Sequence, residues 1–366
     1  MNSTESLVGP NLEVELQESW ATVNDRHRSS FPVVKPLLVL VGPTAIGKSR
    51  VALHVAHAMG TEILTADSTQ VYRGMDIGTD KPTPSEWQGV PHHLTDLVAP
   101  DQPFNAGEFR RHAMVEIDRL HREGLIPLVV GGTGLYVRAL LRGLWPGPPV
   151  DWGLRRRLEQ EACEHGLDAL YRELVCVDPD SARHVHPHDR IKVLRALEVY
   201  RQIGVPLSRA HRRHGFKERP FRALVIGLTM DRAALYRRIE ARVEVELEKG
   251  LVQETQRLLD RGYTRDLVSM KSLGYRQIAG FLVGEYSFDE AVRRLKRDTR
   301  HFAKRQLTWF RKEPEITWLE VKEQEAPEST AAQVLVRVER LIGELGQLGD
   351  LEPGFLPEVG CGASER

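Results

Sequence analysis

Residues 37–41 are five consecutive apolar positions, Leu37-Leu38-Val39-Leu40-Val41. So short an unbroken run predicts a strand covered on both faces, as in a parallel sheet. Residues 62–66 and 127–130 form similar runs, and 223–228 resume the pattern after a long gap. Periodic stretches between them predict helices: one joining the first two strands, one over about 106–122, one over 134–144. Strand alternating with helix implies parallel βαβ units with right-handed crossovers.

Residues 152–214 break the alternation. They read as helical and heavily charged, they follow Pro146, Pro148 and Pro149, and the strand pattern returns only afterwards. This predicts a helical unit inserted into one α/β domain. Downstream, Asp231 caps a long helix ending near Gly250. Further helices are expected over about 252–261, 271–283 and 287–312. The organisation expected is a mobile extension (1–35), an α/β domain (36–145 and 222–320), an inserted helical domain (146–221) and an acidic, largely flexible tail (321–366) with one short helix near 331–345. No internal repeat is present.

Composition changes this picture little, and charge distribution changes it more. The 366 residues are 41% hydrophobic and 28% charged, an ordinary globular composition, with no run apolar enough to span a membrane. Lys+Arg and Asp+Glu balance at 51 each. Residues 190–222 nonetheless hold ten Lys/Arg against two acids, and 293–312 hold nine against one. Residues 313–366 hold twelve acids against four bases. Two basic segments are places for a polyanion to dock. Cys163, Cys176 and Cys361 fit neither a zinc ribbon nor a disulfide framework, so reduced, buried or inert thiols and a cytoplasmic setting are expected. The acidic first thirty residues lack the features of a secretory signal or a transit peptide.

The first strand runs into Gly42-Pro43-Thr44-Ala45-Ile46-Gly47-Lys48-Ser49, followed by a helical stripe. Strand, G-x-x-x-x-G-K-S loop and helix together form a phosphate cradle. Loop amides and the positive helix end face a pyrophosphate, Lys48 adds a point charge, and Ser49 can hold Mg²⁺. The pattern does not say which phosphate is held.

Ligands of open α/β sheets sit at the C-terminal strand ends. Asp67 ends the second strand; it reads equally well as a magnesium-shell carboxylate or as a general base. Gly131-Gly132-Thr133-Gly134 ends the third, where Thr133 is either a helix cap or a donor to a leaving phosphate oxygen. Arg238 and Arg242, four apart on one helix, are either a solvated face or a phosphate clamp. The alternating His184, His186 and His188 and the pair His92-His93 read as structural, with no zinc. The segment with Lys304, Arg305, Arg311 and Lys312 reads as an amphipathic helix whose charged face can meet RNA.

Taken together, these segments resemble the tRNA dimethylallyltransferases, also called tRNA isopentenyl-pyrophosphate transferases, of bacterial type. The matching stretches are GPTAIGKS (42–49), ADSTQVYRGMDIGTDKP (66–82), PHHLTDL (91–97), FRRHA (109–113), PLVVGGTGLYVRALLRGL (127–144), HPHDRIKVLRALEVY (186–200), RIEARV (238–243), SLGYRQ (272–277) and TRHFAKRQLTWFRK (299–312). They span most of 37–319 in family order. The resemblance implies a P-loop NTPase-like parallel α/β sheet with an inserted helical tRNA-binding domain. It implies transfer of a dimethylallyl group from dimethylallyl diphosphate to N6 of the adenosine 3′ of the anticodon. Gly42, Thr44, Ala45, Ile46, Gly47, Lys48, Ser49 and Arg238 would then bind the diphosphate rather than ATP, with Ser49 on Mg²⁺. Asp67 would accept the N6 proton, and Thr133 and Arg242 would act on the leaving group. Asp67, Ser68, Thr69 and Gln70 would touch the target nucleotide. Arg190, Ile191, Lys192, Val193 and Leu194 would meet the anticodon stem-loop. The target base must leave its stack, and a loop suits that.

Three rivals remain at the level of sequence: a phosphate-loop kinase, an enzyme prenylating free nucleotides, and a non-catalytic RNA-binding protein. The 66–82 block opposes the first, the basic inserted unit the second, and the intact Lys48, Ser49, Asp67, Thr133 and Arg242 the third. A monomer is the default.

Overall fold

A computed structural model describes residues 35–349. The expected extension up to residue 34, the end of the acidic tail and Cys361 lie outside the described residues.

The apolar runs become a six-stranded sheet. Its strands are β1 (Pro36–Val41), β2 (Ile63–Ala66), β3 (His92–His93), β4 (Leu128–Gly131), β5 (Arg222–Thr229) and β6 (Ile316–Glu320), in the order β3-β2-β4-β1-β5-β6. All pairs are parallel. Every residue of β1, β2 and β4 is buried, which explains why these strands are continuously apolar and not alternating. Each fully buried Leu or Ile there contributes ~1.5–3 kcal/mol relative to exposure.

Register does the positioning. Val41 pairs with Gly131 on one side and Gly227 on the other, and Gly131 also pairs with Ala66. Three strands, β1, β2 and β4, therefore end on one row beside Gly227 of β5, and the segments beginning at Gly42, Asp67 and Gly132 leave the sheet side by side. Gly131 allows this closeness, because a Cβ there would lie 2.0 Å from the Ala66 carbonyl oxygen.

Helices α1 (Lys48–Met59), α2 (Ala106–Arg122) and α3 (Gly134–Arg142) make the crossovers, and α9 (Arg232–Glu248), α10 (Leu251–Asp260), α11 (Tyr275–Leu282) and α12 (Phe288–Phe310) follow β5. Asn105, Asp231 and Ser287 cap α2, α9 and α12 with side-chain oxygens, as their residue types favour. A second core, with Val71, Met75, Leu251, Tyr275 and Leu295, lies under the segment after Asp67.

Two edge strands escape the sequence reading. β3 is two residues long, too short for any periodicity. In β6 only Ile316 and Leu319 are buried. The tail differs more. The expected short helix near 331–345 is instead a longer one, α13 (Pro327–Gly349), because Ala331, Val334, Leu335, Val338 and Ile342 recur at helical spacing and are buried in the same core as α1.

Residues 138–220 form a separate compact unit, against the expected 146–221. It contains α4 (Trp152–Glu164), α5 (Leu167–Val177), α6 (Pro179–Ala182), α7 (Arg190–Ile203) and α8 (Leu207–His214). Leu158, Leu174, Val193 and Leu197 are fully buried in its own core. Asp178, itself buried, accepts from the Ser181 amide at 3.0 Å and the Ser208 amide at 2.9 Å, tying α6 to α8. Cys163 and Cys176 are exposed on this unit, not buried.

Candidate active site

The phosphate loop leaves β1 through Gly42, where a Cβ would lie 2.9 Å from the Leu228 carbonyl oxygen. It enters α1 at Gly47, whose φ of 100° suits glycine. No side chain caps α1, so its first amides are available to an anion. Lys48 Nζ donates to the Pro43 carbonyl at 2.8 Å. Burial lowers the Lys48 pKa to about 8, against the opposing pull of the Asp67 carboxylate.

Asp67 starts the segment after β2. Its Oδ1 accepts from the Thr69 hydroxyl at 2.6 Å, the Thr69 amide at 2.8 Å and the Gln70 amide at 3.4 Å. These bonds fix the carboxylate through Oδ1. Thr133 Oγ1 accepts from the Ser68 amide at 3.0 Å, and its hydroxyl donates to Ser68 Oγ at 3.3 Å. Thr133 is thus bound to the residue next to Asp67 rather than serving only the following helix. The two glycine loops and the Asp67 segment form one constellation.

Arg242 closes it from α9. One guanidinium nitrogen, Nη1, donates to Thr44 Oγ1 at 2.7 Å and lies 3.3 Å from Asp80 Oδ2, while Nε donates to Glu246 Oε1 at 2.6 Å. Burial works against the Arg242 charge, but Glu246 and Asp80 outweigh it and the pKa is raised. Burial in turn raises the Glu246 pKa, although Arg242 opposes the rise. Arg238 is engaged differently. Its two terminal nitrogens donate to the carbonyls of Ile46, at 3.1 Å, and Glu323, at 2.5 Å. It braces the phosphate loop from behind.

Two residues went unnoticed in the sequence. Gln306 is a buried amide on the apolar face of α12, inside a stretch read for its charge and aromatics. Its Oε1 accepts from the Thr44 amide at 2.8 Å, and its Nε2 donates to the Gly132 carbonyl at 3.0 Å. A polar residue on an apolar stripe was the available signal. Glu254, a buried acid on α10, is the other.

Residues 70–313 match the family model described as IPP transferase. The chain belongs to the IPP transferase family. It is 53% identical to "tRNA dimethylallyltransferase 2" of Geotalea uraniireducens over 287 residues, 78% of this chain and 93% of that one. It is 50% identical to a tRNA dimethylallyltransferase of Syntrophobacter fumaroxidans over 78% of this chain and 83% of that one. Among solved structures it resembles the full-length tRNA isopentenylpyrophosphate transferase of Bacillus halodurans, with a TM-score of 0.66 and 36% identity, covering 87% of this chain and all of that one. It also resembles a eukaryotic dimethylallyltransferase acting on tRNA, with a TM-score of 0.72 and 26% identity, covering 85% and 80%. Family membership makes the chain a transferase on a P-loop NTPase-like fold.

Within this family member, the separate helical unit presents only part of the expected RNA set. Arg190, Ile191 and Lys192 are exposed at the start of α7, with Ile191 at 71%. Val193 and Leu194 turn into the unit's core, at 0% and 3%, so their side chains are not offered to a ligand. A helix cannot show five successive residues on one face.

For Mg²⁺, the donor set is the exposed Ser49 hydroxyl at the first turn of α1. Among the described residues no group of three or more His, Cys, Asp or Glu is gathered to hold a metal. One hydroxyl beside an anion cradle fits an ion held mainly by phosphate oxygens and water.

Proposed function

We propose that the protein transfers the dimethylallyl group of dimethylallyl diphosphate to N6 of the adenosine 3′ of the anticodon in tRNA, releasing diphosphate. The observation that carries this reading is the juxtaposition of Asp67 and Thr133, joined through Ser68 beside the phosphate loop.

The diphosphate lies against the α1 amides, with Lys48 and Arg242 on its oxygens. These cations and N–H groups stabilise the charge that gathers as the C1–O bond breaks. N6 attacks C1, the C1–O electron pair leaves with diphosphate, and the N6 proton passes to Asp67 Oδ2. Thr133 Oγ1 donates to the bridging oxygen, releasing its bond to Ser68 Oγ. Mg²⁺, when bound at Ser49, supplies further charge neutralisation on the phosphates. Ser68, Thr69 and Gln70 contact the flipped adenine.

RNA contacts are assigned to Arg190, Ile191 and Lys192 on the helical unit, to Lys304 and Arg305 on α12, and to Arg311 and Lys312 just after its end. Lys304, Arg305, Arg311 and Lys312 are exposed, and among the described residues none of them is in an ion pair, whereas Lys296, Arg297 and Arg300 are paired with Glu244, Asp298 and Glu240. No described helix is long and apolar enough to cross a membrane. The reaction is assigned to a cytoplasmic monomer.

The test is a transfer assay with Mg²⁺, labelled dimethylallyl diphosphate and unmodified tRNA, with AMP and ATP as parallel acceptors. Label on tRNA alone is expected. Label on AMP, or ATP consumption without transfer, would overturn the reading.

A further inference from the structure

Glu254 touches no part of the constellation above, yet it is buried, at 4% exposure, and accepts from four donors, three of them in one loop. Its Oε1 accepts from the amides of Ile77 at 3.0 Å and Gly78 at 3.2 Å and from the Tyr275 hydroxyl at 2.6 Å. Its Oε2 accepts from the amides of Asp76 at 3.2 Å and Ile77 at 3.0 Å. Three successive amides converging on one point form an anion nest, and here a side chain from α10 fills it. Gly78 is required for the fit, since a Cβ there would lie 2.7 Å from the Tyr275 ring and 2.9 Å from Leu251.

The loop held in this way reaches the site by two routes. The carbonyls of Thr79 and Asp80 receive Gln70 Nε2 at 3.0 and 3.2 Å, and the Gln70 amide points at Asp67 Oδ1. Asp80, held in the left-handed region at φ 51°, sets its carboxylate 3.3 Å from Arg242 Nη1. On the loop's other side Lys81 Nζ donates to the Tyr72 carbonyl at 2.9 Å and to Asp76 and Asp96, each at 2.7 Å.

We propose that Glu254 is a positioning residue for the transfer reaction: by holding the amides of residues 76–78 it fixes the loop that orients Asp67 through Gln70 and Arg242 through Asp80. A carboxylate is needed there because four groups present hydrogens to it. A glutamine of the same shape would turn an NH₂ toward N–H groups, leaving buried donors unmatched. This inference rests on the roles proposed for Asp67 and Arg242.

The test compares wild type with Glu254→Gln and with the milder Tyr275→Phe, which leaves every amide bond to the carboxylate in place. Melting temperature, the Kd of magnesium pyrophosphate, the Kd of unmodified tRNA, and kcat and KM for transfer are measured well below each melting temperature. The expected result for Glu254→Gln is a kcat lowered about tenfold or more and pyrophosphate bound about fivefold more weakly, with the tRNA Kd within about twofold of wild type. Tyr275→Phe shifts kcat and pyrophosphate affinity in the same direction by a smaller factor. It carries the test if Glu254→Gln does not fold. A lowered melting temperature with unchanged kcat and pyrophosphate affinity makes Glu254 merely structural and overturns the proposal. Wild type that fails to transfer label to tRNA refutes the functional reading instead, and the pyrophosphate arm still decides the positioning claim.

Discussion

Gln306 and Gly132 meet so closely that the glutamine's Nε2 donates to the glycine's carbonyl at 3.0 Å, while a Cβ on that glycine would stand 2.2 Å from the same nitrogen. The other end of the carboxamide holds the Thr44 amide. One side chain therefore sets the spacing between the phosphate loop and the turn that carries Thr133.

Gly132→Ala is expected to push Gln306 off the loop, destabilising the fold by ~1–3 kcal/mol as overpacking does. Gln306→Leu keeps the bulk and removes both bonds. Its kcat is expected to fall about tenfold or more, with a melting temperature changed less than that of Gly132→Ala. Thermal melts and steady-state transfer kinetics read both; a Gln306→Leu enzyme with full kcat would remove the bridge from the mechanism.

Asp67→Asn keeps the hydrogen-bond acceptor facing Thr69 but cannot take a proton. Turnover is expected to drop about 10²–10⁴-fold, while tRNA binding stays near wild type. Single-turnover transfer on preformed enzyme–tRNA complex separates the two. Thr69→Val, which removes the 2.6 Å anchor on Asp67 Oδ1, should lower kcat by a smaller factor.

Lys48 sets a pH limit. Burial, opposed by Asp67, leaves its pKa at about 8, so the ammonium is present below that pH and is lost above it. kcat/KM for the diphosphate is expected to fall as pH rises through about 8. Bound diphosphate favours the cation, so kcat should hold to higher pH. In Lys48→Arg the descending limb of kcat/KM should vanish; a limb that persists belongs to another group.

On the helical unit, Arg190→Ala and Lys192→Ala are each expected to weaken tRNA binding and to reduce the slope of log K against log salt by about 0.7–0.9. Ile191→Ser should weaken binding without altering that slope. Val193→Ala should instead lower the unit's stability by ~0.5–1.5 kcal/mol or more, because its side chain is fully buried. Filter binding across a salt series distinguishes these outcomes.

The sheet and its crossovers were legible because continuous apolar runs and capped helices are local signals: 106–122 was read as a helix at its observed bounds, and Asp231 as a cap. The phosphate loop was legible for the same reason. What escaped is what depends on residues far apart in the chain. Gln306 lies 174 residues from Gly132, and Glu254 lies 176 residues from Gly78; nothing in their own surroundings announces either partner. The tail helix was expected near 331–345, but its full length and its place in the core escaped, because many nearby acids masked a buried stripe that only α1 makes sense of. Val193 and Leu194 came in with a motif, and helical phase then separated them from Ile191.

The shared row at Val41, Ala66, Gly131 and Gly227 makes chain length itself a catalytic variable. One residue inserted into β4 would advance Thr133 by ~3.3 Å and reverse its face, separating it from Asp67. Side-chain replacement could not undo such a slip. Drift in this enzyme is thus cheap beyond the row and forbidden beneath it, and an engineer seeking a new acceptor should lengthen turns while leaving every strand at its present count.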